Sequence, residues 1–274
     1  IFTCFSDLSV PKPLVIVAVP SFAVREIVRR FLEEVSKTIE PIAFVNLAKG
    51  LEKNSLKTMS EVIKEETHSK RVFTLTGPSH AEEVGRDFPT AVVLAGEDLE
   101  VGQKLQRIFM TDRFRVYLSN DLKGVEYAAT VKNIIAIAAG ISDGLGYGDN
   151  SKGALIARGL AEMVRMARVI GAKKETIFGL AGLGDLVATC TSKHSRNRLV
   201  GERIGKGEKL EEILSTMKMV AEGIFAAETV YRLAKDHKLE MPITAAVYDI
   251  LYKKASPLRK LDELMKREPK METL

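Results

Sequence analysis

The stretch that decides the fold is Gly124–Glu162, which reads GVEYAATVKNIIAIAAGISDGLGYGDNSKGALIARGLAE. Residues 125–139 are apolar nearly all round and lack the polar stripe of a surface helix, which predicts a helix buried inside the protein. The apolar run ends at Gly140, so its length is predicted to fall short of a membrane span. Lys132 stands in its middle, and a lysine is almost never fully buried unless it is paired or functional. Two hypotheses stay open: a general acid in a water-poor site, or a lysine that extends its amine to solvent.

The composition bounds the class of protein. The 274 residues are 46% hydrophobic and 28% charged, which is typical of a soluble globular protein with one large or two ordinary domains. The 41 basic residues nearly match the 36 acidic ones, so no surplus is dedicated to nucleic acid, and a net charge of +5 suits an anionic small molecule. Cys4 and Cys190 lie far apart without metal-ligand spacing, so we predict no metal site and a reduced, cytoplasmic location.

Short β-branched runs alternate with helical patterns over the first 120 residues. The predicted strands are 14–19, 43–48, 72–76, 91–95 and 114–118. The predicted helices between them are 22–37, 56–66 and 99–109, the first of them capped by Ser21. This alternation predicts an α/β fold with a doubly wound, largely parallel sheet. Only helical patterns follow, at 154–170, 210–217, 226–237, 243–254 and 258–267, so the domain boundary is predicted at 119–122.

Turn-forming residues follow each of the first three predicted strands. They are Pro20-Ser21, Lys49-Gly50 and Gly77-Pro78-Ser79. Ligands gather at the carboxyl ends of strands in doubly wound sheets, and three such turns in succession favour a ligand site over ordinary turns.

Two later segments carry candidate polar groups. Gly179–Asp185 (GLAGLGD) ends a glycine-rich stretch, and Asp185 is a plausible partner for a buried ammonium, the alternative being a helix N-cap. Residues 192–198 (SKHSRNR) combine two arginines, hydroxyl groups and an amide, which match the geometry of a phosphate; the alternative is a solvated basic loop.

One expected motif is missing. No glycine-rich dinucleotide fingerprint (GxGxxG) follows a first strand, because Gly144, Gly146 and Gly148 come after a helix. We expect that a first βαβ unit is missing upstream of Ile1.

Several motifs, in this order, resemble those of NAD(P)-dependent glycerol-3-phosphate dehydrogenase. They are VAVPS (17–21), AKGL (48–51), GPSHAEEV (77–84), Lys132-Asn133, residues 150–160, GLGDL (182–186), SRN (195–197), Glu222-Gly223 and MPI (241–243). The likeness spans residues 15–252 and departs from the family pattern at the front, where the glycine fingerprint has no counterpart.

The resemblance implies an incomplete Rossmann-like doubly wound parallel sheet (1–120) followed by an all-helical substrate domain (121–274). It also implies reversible hydride transfer between a nicotinamide cofactor, NAD or NADP, and dihydroxyacetone phosphate or sn-glycerol 3-phosphate, feeding phospholipid synthesis. The partners that it implies are a phosphorylated three-carbon substrate and a second copy in a homodimer, with no nucleic acid and no membrane span.

The resemblance also assigns residues to roles. It makes Lys132 the acid and base of the reaction, oriented by Asp185, with Lys49 as a second positive charge beside the reacting group. The implied substrate contacts are Lys49, Gly77, Ser79, Lys132, Asp185, Ser195, Arg196 and Asn197. The implied cofactor contacts are Pro20, Ser21, Lys49, Ala81, Arg196, Val220 and Glu222.

Two alternatives to this function stay open. One is another lysine-dependent dehydrogenase with a helical substrate domain, of the 3-hydroxyacid or 6-phosphogluconate type. The other is a non-catalytic fragment or oligomerisation module, because the pyrophosphate cradle is missing from the sequence.

Overall fold

The computed structural model describes residues 10, 12–35, 39–217, 219–269 and 271–272. Cys4 and the end of the predicted helix 22–37 lie outside these residues. In the described residues two layers follow one another along the chain, the first built on a five-stranded sheet and the second from helices.

The sheet has its strands in sequence order. They are β1 (Leu14–Val17), β2 (Ala43–Asn46), β3 (Val72–Thr76), β4 (Thr90–Gly96) and β5 (Phe114–Ser119). The pairs β1–β2, β2–β3 and β4–β5 are parallel, which confirms the α/β class, but β3–β4 is antiparallel, so the sheet is mixed rather than wholly parallel. The physical reason lies in the connection from β3 to β4, which contains only one helical turn and lacks the full crossover helix that a parallel neighbour requires.

Four helices accompany the sheet. They are α1 (Val24–Glu34), α2 (Met59–Thr67), α3 (Ala81–Val84) and α4 (Leu99–Phe109). Thr58 and Glu61 form a capping box at the start of α2, and Asp98 caps α4. The predicted cap of the first helix is wrong: residues 21–23 form a 3₁₀ turn, α1 begins at Val24, and the Ser21 hydroxyl donates to Glu222 instead.

The rest of the described chain is helical. Its helices are α5 (Leu122–Gly144), α6 (Asp149–Ile170), α7 (Lys174–Phe178), α8 (Asp185–Thr191), α9 (Arg196–Gly205), α10 (Leu210–Thr216), α11 (Glu222–Asp236), α12 (Pro242–Lys253) and α13 (Pro257–Met265). A π-helical turn, Leu180–Gly184, leads directly into α8. Because α9 begins at Arg196, the predicted basic segment is a loop only up to that residue.

Helix α5 is the axis of this part, as predicted. It continues to Gly144, and in the described residues it is the one helix long and apolar enough to cross a membrane by length and composition. The predicted length, too short for a membrane span, is therefore wrong. What identifies α5 as a core helix is that 94% of its most apolar window is buried inside the protein. Helix α9 packs backbone to backbone on α5, because a Cβ at Gly140 would stand 1.9 Å from the Arg198 carbonyl oxygen.

Candidate active site

The buried helix α5 holds Lys132 beside the start of α8. Lys132 is only 4% exposed, and its Nζ donates to Asp185 Oδ1 at 2.8 Å and to Thr189 Oγ1 at 2.7 Å. Asp185 and Thr189 lie one helical turn apart on α8, so both face the same ammonium. The predicted pair of Lys132 and Asp185 is present, and the alternative of an amine extended to solvent is wrong for this lysine. Asp185 is the first residue of α8, and its carboxylate is used by lysines rather than by a cap.

A second ammonium reaches the same carboxylate from the sheet. Lys49 follows β2, and its Nζ lies 2.8 Å from Asp185 Oδ2 and 3.4 Å from the carbonyl oxygen of Gly77, which follows β3. Each Asp185 oxygen therefore accepts from one lysine, one of them fully buried and the other 23% exposed. Asp185 thus joins the sheet layer to α5 at the edge where the parallel strands β1–β3 end.

The electrostatics of this cluster favour proton exchange on Lys132. Burial lowers its pKa to about 8; the carboxylate of Asp185 opposes this shift and the charge of Lys49 adds to it. Burial alone would raise the pKa of Asp185, but Lys132 and Lys49 hold it below its usual value. Asp185 therefore stays ionised while Lys132 can gain or lose a proton at a pH close to neutral.

The predicted phosphate segment divides into one exposed and two buried side chains. Ser195 caps α9, its Oγ accepting from the Arg198 N–H at 3.2 Å. The Asn197 side chain donates to Asn133 Oδ1 at 2.9 Å and accepts from the Gly223 N–H at 2.9 Å, so it ties α9 to α5 and α11. Arg196 is exposed at the first position of α9.

The predicted cofactor residues include one firm contact between the two layers. The Ser21 N–H donates to Glu222 Oε1 at 2.8 Å and the Ser21 hydroxyl donates to Oε2 at 2.5 Å. Burial raises the pKa of Glu222, and the hydrogen bonds from Ser21 and the charge of Arg196 oppose that shift. A Cβ at Gly50 would stand 2.6 Å from Ser21 Oγ, so the turns after β1 and β2 also touch.

The remaining predicted residues are more scattered. Pro20 precedes the 3₁₀ turn and Val220 precedes α11, both half-buried, while Ala81 is exposed at the start of α3. Ser79 donates to the Gly77 carbonyl oxygen at 3.1 Å. Gly77 has φ +150°, and a Cβ there would lie 3.0 Å from Val92 Cα, so this position requires glycine.

The unpaired polar groups at this edge fit a bound polar cofactor such as a dinucleotide. Thr76 Oγ1 and His80 Nε2, on either side of the Gly77 turn, are buried atoms that find no hydrogen-bond partner in the described part of the chain. Buried polar atoms in proteins are nearly always paired, so these two suit a site that a polar ligand completes. Among the described residues no group of three or more His, Cys, Asp or Glu side chains could hold a metal ion.

Sequence reasoning missed two residues of the site. Thr189 could have been found from its spacing, four residues after Asp185 on one helix face. His80 gave no such signal. It is half-buried and lines a cavity of about 370 Å³ with Ala188 and His194. Burial and the charge of Lys132 lower the pKa of His80, and a hydrogen bond with the Ala188 backbone opposes that shift. Only the fold brings His80 near α8.

Comparisons with known proteins point in one direction. The family model described as the NAD-dependent glycerol-3-phosphate dehydrogenase N-terminus matches residues 9–102, and the corresponding C-terminus model matches residues 121–262. A protein of Chlorobium limicola named glycerol-3-phosphate dehydrogenase [NAD(P)+] is 48% identical, over 99% of this chain and 82% of the relative. The relative of the same name from Clostridium acetobutylicum is 46% identical, over 94% of this chain and 77% of its own length.

The solved structures agree with these relatives. The crystal structure of glycerol-3-phosphate dehydrogenase from Coxiella burnetii superposes with a TM-score of 0.87 at 41% identity, covering 94% of this chain and 78% of that one. D-mandelate dehydrogenase, at 11% identity and a TM-score of 0.55, shares the fold alone.

Proposed function

Because this chain belongs to the NAD-dependent glycerol-3-phosphate dehydrogenase family, we propose that its buried Lys132 donates and accepts the proton of that reaction. The chain is an NAD(P)-dependent oxidoreductase that interconverts dihydroxyacetone phosphate and sn-glycerol 3-phosphate. Membership in this family favours glycerol-3-phosphate dehydrogenase activity over a dehydrogenase of the 3-hydroxyacid or 6-phosphogluconate type and over a non-catalytic module. The observation that carries the proposal is a fully buried ammonium on a carboxylate that it shares with a second lysine.

The proton transfer follows from the charge that develops on the substrate. When bound, the nicotinamide supplies or accepts the hydride at the substrate's second carbon. During reduction negative charge grows on the keto oxygen, and protonated Lys132 donates its proton there from Nζ, which leaves a neutral amine. During oxidation the neutral amine takes the proton of the same hydroxyl group. A pKa of about 8 lets Lys132 serve in both directions near neutral pH.

Asp185 and Lys49 support this step in different ways. The carboxylate of Asp185 accepts from Lys132 at 2.8 Å and so aims the ammonium, which also contacts Thr189. Lys49 brings a second positive charge to the same place, where it stabilises the growing negative charge on the substrate oxygen. Both charges are fixed before the reaction begins, so little reorganisation is needed.

We assign binding of the substrate to the start of α9 and the turn after β3. Of Ser195, Arg196 and Asn197, only Arg196 is exposed. Its guanidinium is suited to binding the phosphate of the substrate, and the positive end of the α9 dipole adds to that attraction. Asn197 and Ser195 act from buried positions that also fix α9 on its neighbours. The backbone of Gly77 and the Ser79 side chain complete the proposed substrate contacts.

The cofactor is assigned to the edge where β1–β3 end and to the adjoining helices. The residues proposed to hold it are Pro20, Ser21, Lys49, Ala81, Arg196, Val220 and Glu222. We divide the chain accordingly into a dinucleotide-binding part, 1–120, and a helical substrate part, 121–274. We further propose a cytoplasmic homodimer that supplies glycerol 3-phosphate to phospholipid synthesis and binds no nucleic acid.

Replacement of the lysine tests the proposal. Lys132→Ala should lower turnover by about 10²–10⁴, the usual contribution of general acid–base catalysis. Lys260→Ala is the control, because Lys260 on α13 is half-buried and also paired with a carboxylate, Asp249 at 2.7 Å, away from the proposed site. Steady-state kinetics in both directions should show the loss only in the first variant. Wild-type turnover in Lys132→Ala would exclude the role.

A further inference from the structure

We propose that Glu126 is a positioning residue for this reaction: through Asn46 it holds the turn that carries Lys49, and so keeps the Lys49 ammonium on Asp185. The proposal rests on the function assigned above, since it concerns the geometry of that same site. Glu126 lies on α5, six residues before Lys132, and neither composition nor motif gave it a role.

Glu126 is a fully buried carboxylate surrounded by donors. Oε1 accepts from the Ser60 N–H at 2.9 Å, the Thr74 hydroxyl at 3.1 Å and the Asn46 amide at 3.4 Å, and Oε2 accepts from the Ser60 hydroxyl. Burial raises the pKa of Glu126, and the hydrogen bonds from Ser60, Thr58 and Thr74 oppose the rise. One side chain of α5 is therefore bonded to the start of α2 and to both β2 and β3.

Asn46 passes this anchoring on to the lysine. Its Nδ2 donates to the Ala48 carbonyl oxygen at 3.0 Å, and its Oδ1 accepts from the Ala48 N–H at 2.9 Å. The amide thus closes a two-residue turn at the end of β2, and Lys49 is the next residue of the chain. Asn46 is bonded to Glu126 on one side and to Ala48 on the other. The position of α5 therefore fixes the direction in which the Lys49 side chain leaves the turn.

The consequence is a fixed distance between two ammonium groups from different layers. Lys132 is carried by α5, and Lys49 is carried by the end of β2; both meet Asp185. Without Glu126, the turn after β2 loses its link to α5, and Lys49, already partly exposed, is free to move toward solvent. That movement removes a positive charge from the surroundings of Lys132.

The charge of Lys49 gives the proposal a readout that plain destabilisation does not move. The titratable groups that act on Lys132 are Asp185 and Cys190 from α8, Lys49 after β2, and His80 after β3. Of these, Lys49 lowers the pKa of Lys132, so its displacement should raise that pKa.

The test compares four single variants in the full chain. Glu126→Ala removes all the acceptors, whereas Glu126→Gln keeps Oε1 and lets the Ser60 hydroxyl turn to accept. Glu162→Ala and Glu162→Gln are the matched controls, because Glu162 is an equally buried carboxylate that accepts from Ile243 and Thr244 at the start of α12. The readout is the titration of the Lys132 amine by NMR of ¹³Cε-labelled lysine, without substrate or cofactor, together with kcat/KM.

We expect Glu126→Ala to raise the pKa of Lys132 by roughly 0.5–1 unit and to lower kcat/KM about 10- to 100-fold. Glu126→Gln should restore both to near wild type, and both Glu162 variants should leave the titration unchanged even if they lower the melting temperature. In a Lys49→Ala background, Glu126→Ala should add no further shift, because the two residues act on Lys132 through the same path.

Several results would overturn the proposal. A Glu126→Ala titration that matches wild type, or a shift that persists in the Lys49→Ala background, would mean that Glu126 does not act through Lys49. If Glu126→Ala fails to fold, Asn46→Ala replaces it, since it breaks the link while leaving Glu126 bonded to Ser60 and Thr74; an unshifted pKa there would be equally decisive. A wild-type protein inactive on glycerol 3-phosphate would contradict the proposed function, while the titration would still test the positioning role.

Discussion

Asp185→Asn perturbs the site most informatively, because it keeps the shape of the side chain and removes the negative charge that two ammonium groups share. At the 2.8 Å between Lys132 Nζ and Asp185 Oδ1 and an effective dielectric constant of about 20, that attraction is worth at most roughly 6 kcal/mol, or about four pKa units. Lys49 is 23% exposed, so its movement toward solvent offsets part of the loss. We therefore expect the pKa of Lys132 to fall by roughly one to three units below its value of about 8.

The assay is the pH dependence of kcat in both directions. Oxidation requires neutral Lys132, so its rate rises as the pH passes the pKa, and a lower pKa moves this rising limb to lower pH. Reduction requires protonated Lys132, so its falling limb moves to lower pH as well. Overall kcat will also drop, because the ammonium loses its orientation, but the direction in which the limbs move is independent of that drop.

The matched control is Asp143→Asn. Asp143 also pairs with two cations, Lys152 at 2.9 Å and Arg198 at 2.7 Å, and no role in the reaction is assigned to it. Its limbs should stay at the wild-type pH, and circular dichroism should show both variants folded. Limbs that stay in place in Asp185→Asn, or move to higher pH, would refute the reasoning.

Two further predictions concern substrate binding and helix packing. Arg196→Ala should raise KM for the phosphorylated substrate about 10- to 100-fold with little change in kcat, as for the loss of a charged hydrogen bond; steady-state kinetics checks this, and slower turnover at unchanged KM would contradict the phosphate role. Gly201→Ala should destabilise the fold by about 3 kcal/mol, because its Cβ would stand 2.0 Å from the Ile137 carbonyl oxygen. Gly153→Ala, in a helix where a Cβ meets nothing within 4 Å, should instead stabilise by about 0.5–1 kcal/mol; urea unfolding separates the two, and equal effects would contradict the packing argument.

Local patterns were sufficient where one segment contains all its own determinants. The runs that became β3 and α4 have the predicted bounds, Val72–Thr76 and Leu99–Phe109, because each carries its own apolar pattern and end signals. The buried character of α5 followed from its lack of a polar stripe. The pairing of Lys132 with Asp185 could be predicted because a buried ammonium requires a negative charge beside it.

Long-range contacts explain what could not be predicted. Ser21 has the side chain of a helix cap, yet its hydroxyl is taken by Glu222, 201 residues away, so α1 starts without it. The short helices α8 and α9 were not predicted because glycines lead directly into one and a polar segment opens the other. The antiparallel β4 depends on how the chain returns across the sheet, and the contacts of Glu126 depend on three separate elements meeting at one carboxylate.

The central claim is that Lys132 exchanges the proton of the reaction, and the pH profile of kcat/KM for glycerol 3-phosphate oxidation tests it most directly. In the wild-type protein this value should rise with pH and level off above a midpoint of about 8, the pKa of the buried amine. In Lys132→Ala the same profile, measured on the residual activity, should lose that limb and become flat through this range. A limb that persists at the same midpoint without the amine would assign the proton to another group and contradict the account.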